Sequence, residues 1–314
     1  MIKFFLRFGK LYYLSNGNCA VHSSDTCSFA PPNKCGIIYL NGFRRLFCDF
    51  LKLCQTSFMR NLTAIICLTI AVLVDCNLAI SEEFKTINTR EGVTISFIKN
   101  TPLKGIRAAA VLFAGGDGDI GVDVNNKKIN SDNFLVRTRN LFAKFGVLTI
   151  TPDVPSDMDS LKNDRGNSDY RTDISFLIKE IRRETTKPIW LIGTSRGSIT
   201  VGYHAAGLKI QGVALTATVT DGSHDTVYSA NLGKIKVPAL IVHHENDQCV
   251  ASPPSGAEEL IGSLTHSPKK HVLLFKKGES GYGRDCGPTS PHGFLGIENQ
   301  VVGAMTDWMF KAVE

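Results

Sequence analysis

The residues best placed to do chemistry are Gly193-Thr194-Ser195-Arg196-Gly197, set between the apolar run 188–192 and a helix-like stretch over 198–204. A serine hydroxyl is a weak nucleophile until it is held exposed beside a base. A G-x-S-x-G pentapeptide does this where a strand bends sharply into a helix, because side chains at the glycine positions would collide with neighbouring backbone. The chemistry would be nucleophilic attack by the Ser195 hydroxyl. The competing reading of the same five residues is a glycine-rich turn with a solvated serine.

The elements that must position such a serine follow from periodicity. Residues 93–97 read as an antiparallel strand after a turn at 90–92, and residues 108–113 as a buried strand ending in Gly115-Gly116-Asp117-Gly118. Phe134, Leu135, Leu141, Phe142 and Phe145 fall on one helical face, and residues 147–150 form the next strand, closed by Pro152. Tyr170, Ile174, Leu177, Ile178 and Ile181 stripe a second helix. Strands follow at 213–217, 239–242 and 272–275. Ser255 and Glu258 have capping-box spacing at the start of a helix through Leu264, and Ile297, Val301, Val302, Met305 and Met309 stripe the last one. Near-continuous apolar strands separated by amphipathic helices predict an α/β chain: a mostly parallel central sheet with helices on both faces.

The first 80 residues have a different composition. They hold seven of the nine cysteines and eight of the 35 Lys and Arg, but only three of the 29 Asp and Glu. Without them 27 basic and 26 acidic residues remain, so the formal charge of +6 belongs to the leader and gives no support for a nucleic-acid partner. Met59 and Arg60 precede 13 mostly apolar residues, 62–74, which match a secretory signal peptide and are short for a bilayer span. Leu73-Val74-Asp75-Cys76 is similar to a bacterial lipoprotein box, although Asp75 stands where a small residue belongs. The expected organisation is therefore a non-native or disordered extension over 1–58, a signal peptide over 59–80 and one domain over 81–314. That domain would be exported, periplasmic or secreted, with a lipid anchor as the alternative and no stable membrane span once the signal is removed. Only Cys249 and Cys286 remain in it, and two cysteines in an exported chain favour one disulfide over a metal site; two separate thiols are the alternative.

From about residue 84 to 312 the chain resembles the α/β hydrolases, through its strand–helix alternation and the Gly193–Gly197 pentapeptide, with later acid and histidine positions in the chain order of that family. The segment 243–249 (His-His-x-x-Asp-x-Cys) and His292-Gly293-Phe294 look like a group of small exported members. The resemblance implies a nucleophile at Ser195, an acid at Asp247 after the strand 239–242, and a base at His292 before the last helix. It implies oxyanion donors at the backbone N–H of Arg196 and of Gly116 or Asp117. Bridging Cys249 to Cys286 would then tie the acid loop to the base loop.

Rivals exist for several of these places. Asp221 lies where some members keep the acid, and Asp153 sits at a strand end but reads better as a turn residue between Pro152 and Pro155. His243 and His244 suggest a metal at first sight, yet neighbours on a strand point to opposite faces, so one packs and the other orients the Asp247 loop. His204 reads as a packing or capping residue. The glycine run 115–118 lacks the context of a dinucleotide fingerprint. The expected activity is cofactor-free and metal-free acyl transfer, hydrolysing an ester of a small-molecule substrate. A peptidase, a thioesterase and a non-catalytic binding module on the same fold are the alternatives. Only 17 residues separate Val219 from Val237, where many members insert a lid, and the polar stretch between Asp153 and Asp169 would flank an open cleft.

Overall fold

The computed structural model describes residues 3–7, 10–15, 18–22 and 81–314, except 223–224. The chain divides into two units, Met1–Asn77 and Leu78–Glu314. The first contains three strands, β1 (Lys3–Arg7), β2 (Lys10–Ser15) and β3 (Asn18–His22), paired antiparallel in that order. The sequence reading placed no element there. Its missed signal is Asn16-Gly17 standing between Ser15 and Asn18, which pair, since Asn-Gly favours a two-residue hairpin loop. The signal-like segment 59–80 lies outside the described residues.

The second unit is an eight-stranded sheet in the order β11-β10-β9-β8-β6-β7-β5-β4. Its strands are β4 (Ser81–Arg90), β5 (Val93–Thr101), β6 (Ala108–Phe113), β7 (Val147–Pro155), β8 (Ile189–Thr194), β9 (Gly212–Thr216), β10 (Ala239–His244) and β11 (Lys270–Phe275). β4, β5 and β7 pair antiparallel, and every pairing from β7 to β11 is parallel. Two differences from expectation concern the strands, one missed and one longer. β4 is a half-exposed edge strand without an apolar run, which periodicity does not detect. β7 continues past Pro152 to Pro155, because Pro152 and Pro155 lie opposite Phe97 and Ile95 at the irregular end of its pairing with β5.

β6 shows why both faces are covered. All six of its residues are buried: Ala109, Val111 and Phe113 join one core, and Ala108, Ala110 and Leu112 the other. The first core is closed by α2 (Ser168–Glu184), α3 (Gly197–His204) and α4 (Gly256–Ser263), through Tyr170, Leu177, Val201 and Leu260. The second is closed by α1 (Phe134–Lys144) and α5 (Glu298–Ala312), through Phe134, Phe142, Val301 and Met305. α4 begins as expected, but Ser255 makes no capping hydrogen bond. Its own dihedrals are helical, so its hydroxyl does not turn back onto the first turn. Between β9 and β10 the described residues form only two single-turn 3₁₀ segments, Val227–Ser229 and Leu232–Lys234. No helix among the described residues is long and apolar enough to cross a membrane.

Candidate active site

Ser195 stands between β8 and α3 with φ of +52°, a left-handed conformation that a side-chain-bearing residue adopts at a cost on the order of 1–3 kcal/mol. The surroundings enforce it. Ser195 N–H donates to Thr216 O at 2.9 Å, and Ser195 O accepts from Ser198 N at 3.0 Å. The flanking glycines are required by space: a Cβ on Gly193 would lie 2.3 Å from Gly197 O, and one on Gly197 would lie 2.2 Å from Phe113 O. The bend is therefore packed directly against β6, and Ser195 is left half-buried at the carboxyl edge of the sheet.

Asp247 and His292 meet from loops far apart in the chain. Asp247 follows β10, and its buried carboxylate accepts the Cys249 N–H at 2.9 Å through Oδ1. Its Oδ2 lies 2.8 Å from His292 Nδ1. A carboxylate there favours the proton on Nδ1 and leaves Nε2 of a neutral imidazole as an acceptor. His292 sits on a single 3₁₀ turn, Pro291–Gly293, whose Ser290 cap accepts the His292 N–H at 3.2 Å. Phe294 then takes a left-handed conformation and packs on Phe134 of α1, while Arg137 of α1 donates to Gly293 O at 2.6 Å. Cys249 and Cys286 form a disulfide with Cα atoms 4.5 Å apart, joining the loop of Asp247 to the one leading to His292.

α1 links this pair to the serine. At its start Asn133 caps the helix by accepting the Leu135 N–H at 3.2 Å. A Cβ on Gly115 would fall 3.2 Å from Asn133 Nδ2 and 2.9 Å from Ser195 Cβ. The glycine loop thus presses on the serine while α1 braces the histidine turn. His292 Nε2 is buried and has no hydrogen-bond partner among the described residues, Ser195 Oγ included.

Of the expected oxyanion donors, Arg196 follows Ser195 in the chain, and Gly116 and Asp117 follow Gly115, which packs on Ser195. The N–H groups of Gly115, Gly116, Asp117 and Arg196 have no acceptor among the described residues. The glycine loop is closed by Gly118 N–H donating to Gly115 O at 3.1 Å, and Leu161 N–H donates to Asp117 O at 2.7 Å. The Arg196 side chain bonds Lys162 O, so the polar 156–167 segment abuts this loop. Beneath it lies Arg165, only 1% exposed, which the sequence reading did not single out. Its one sequence cue was membership of the polar stretch between Asp153 and Asp169.

The rivals take other roles. Asp221 is exposed and accepts from Gly222 N–H at 2.6 Å. Asp153 is buried and accepts the N–H groups of Ile120, Val122 and Val154, fixing the segment after the glycine loop; burial pushes its carboxyl up despite those bonds. His244 accepts the Asn246 N–H at 3.0 Å and lies 3.1 Å from Lys277 O, bracing the start of the Asp247 loop. His243 packs on the other face with Nδ1 3.9 Å from Asp247 Oδ2, and burial holds its imidazole below its ordinary value. No cluster among the described residues could hold a metal. His204 is buried edge-on to Tyr170, and burial pushes its imidazole down to about 4.

No family model and no curated protein sequence matches this chain. Solved structures do. An esterase from Pyrococcus furiosus is 11% identical, covering 76% of this chain and 94% of its own, with a TM-score of 0.56. A dienelactone hydrolase from Anabaena variabilis is 16% identical, covering 75% and 99%, with a TM-score of 0.54. A cold-adapted esterase from an Arctic intertidal metagenomic library is 16% identical, covering 76% and 97%, with a TM-score of 0.53. Strand order, helices on both faces and these likenesses agree: residues 81–314 have the α/β-hydrolase fold.

Proposed function

We propose that the chain is an exported serine hydrolase that cleaves an ester or related acyl bond through a covalent acyl-enzyme. The observation that carries this reading is a serine held at φ of +52° beside unbonded backbone donors, with a buried imidazole–carboxylate pair braced on the adjoining helix. His292 Nε2 takes the proton as Ser195 Oγ attacks the acyl carbon, and Asp247 stabilises the imidazolium that forms. The new oxyanion is held by the N–H of Arg196 and of Gly116 or Asp117. His292 then returns the proton to the departing alkoxide, and water attacks the acyl-serine in the same way. His292, Asp247 and the backbone donors act in both halves of the reaction. The Nε2 gap is one that substrate binding closes, since such hydrogen bonds are often unformed in free enzymes.

Export is supported by the signal-like segment 59–80 and by the disulfide, which persists in oxidising compartments. All groups of the proposed site lie within 81–314, and the substrate is a small acyl compound. A fluorophosphonate probe tests the reading: labelling of the wild type that is lost in Ser195→Ala supports it, while no labelling of folded, oxidised protein favours a binding module. Among labelled outcomes, a panel of p-nitrophenyl esters, acyl thioesters and aminoacyl amides separates esterase from thioesterase and peptidase.

A further inference from the structure

Arg165 is a guanidinium buried with no carboxylate partner among the described residues. Its Nη1 donates to Thr200 Oγ1 of α3 at 3.0 Å. Its Nη2 faces three successive carbonyls of the glycine loop: Ala114 O at 3.3 Å, Gly115 O at 3.5 Å and Gly116 O at 3.0 Å. Burial lowers its ordinary value to about 10, which leaves it cationic at neutral pH. A buried unpaired cation is expensive, and a neutral side chain would serve better if the loop needed only filling.

Peptide geometry gives the cation a purpose. In a planar trans peptide the C=O of one residue and the N–H of the next point in opposite directions. Drawing the carbonyls of residues 114, 115 and 116 onto one nitrogen therefore turns the N–H groups of Gly115, Gly116 and Asp117 to the opposite side. Those three groups have no acceptor among the described residues, and Gly115 presses on Ser195. Successive N–H groups of this kind form an anion cradle, and a cation behind the carbonyls polarises each peptide and strengthens its donor.

We propose that Arg165 is a positioning residue that orients and polarises the 115–117 amides toward the oxyanion formed at Ser195, tethering that loop to α3 through Thr200. This rests on the serine-hydrolase reading above. It predicts an effect confined to the charged tetrahedral state, because a neutral substrate gains little from the cradle.

The test measures kcat and KM on p-nitrophenyl acetate, and Ki for an alkylboronic acid, which forms a tetrahedral anion on the serine. Arg165→Lys should lower kcat about 10- to 100-fold, and Arg165→Met about 100- to 1,000-fold, with KM within about threefold. The boronate Ki should rise by about the factor that kcat/KM falls. Should Arg165→Met fail to fold, the near-isosteric Thr200→Val removes the Nη1 acceptor and should cost about 3- to 10-fold in kcat by the same pattern. Folded variants with kcat and boronate Ki within twofold of wild type overturn the proposal, as does a KM rise with kcat unchanged. A folded wild type that no fluorophosphonate labels overturns the serine reading itself. A labelled wild type beside fully active Arg165 variants overturns only the role of Arg165.

Discussion

Removing the Cys249–Cys286 bridge tests whether the two loops that carry the imidazole–carboxylate pair depend on a covalent tie. The bond closes a loop of 37 residues, and in the chain-entropy model that loop restricts the unfolded chain by about 4 kcal/mol at 25 °C. For a domain of this size each kcal/mol moves the melting midpoint by roughly 2–4 °C, so Cys249→Ala/Cys286→Ala should melt roughly 8–16 °C below the oxidised wild type. Cys286 is exposed, so a small thiol reaches its sulfur, and dithiothreitol should shift the wild type by a similar amount. Well below the midpoint the carboxylate keeps its Cys249 N–H and His292 bonds, since neither involves sulfur. Ester hydrolysis at 20 °C should therefore fall less than about tenfold while stability falls sharply. Scanning fluorimetry of oxidised, reduced and double-alanine protein reads the first effect, and initial rates read the second. Midpoints agreeing within about 3 °C would refute the reasoning, since the loop would then be constrained without the bond.

Asp247→Asn keeps the shape of the buried carboxylate but favours the wrong imidazole tautomer, so kcat should fall about 10⁴-fold with folding intact; Asp221→Asn should stay within about threefold, and the reverse order in ester assays would move the acid to Asp221. His204 titrates near 4 when folded against an ordinary 6.5, so the unfolded chain binds the proton first as pH falls. Its contribution is complete above about pH 6.5 and is lost progressively between 6.5 and 4, on the order of 3 kcal/mol. His243, depressed in the same direction, adds to this loss. Urea midpoints of wild type should drop across that window more steeply than those of His204→Gln, and parallel curves for the two would exclude His204 as the source.

The sheet was legible because its inner strands are apolar on both faces. β6 buries alternate residues in two cores, and a run such as 108–113 admits few other readings. β4 escaped because an edge strand need bury only part of one face, and β1–β3 escaped because their short pairs are announced chiefly by turn residues. The candidate site divides along the same line. Gly193 and Gly197 leave a trace in sequence because steric exclusion permits only one residue type at each. Asp247 and His292 were placed by their order along a resembling fold rather than by any local pattern. Arg165 was invisible because nothing local marks an arginine as buried; long charged side chains are ordinarily solvated, and besides Thr200 its partners are backbone carbonyls that any sequence supplies.

Two costly features adjoin one another. Ser195 carries backbone strain, and Arg165 carries a buried charge with no salt bridge among the described residues, beneath the loop that presses on Ser195. Each carries a cost in stability. Replacing Ser195 by glycine relieves a left-handed side chain, and replacing Arg165 by an apolar residue removes a desolvated cation. Strain confined to Ser195 alone would fit a relic turn. Strain and a desolvated charge meeting at one loop fit a place where stability has been given up for the stabilisation of a transient anion. On that account Ser195→Gly should melt no lower than the wild type even though it abolishes probe labelling. A folded Ser195→Gly that melts several degrees lower would instead make Ser195 a structural residue.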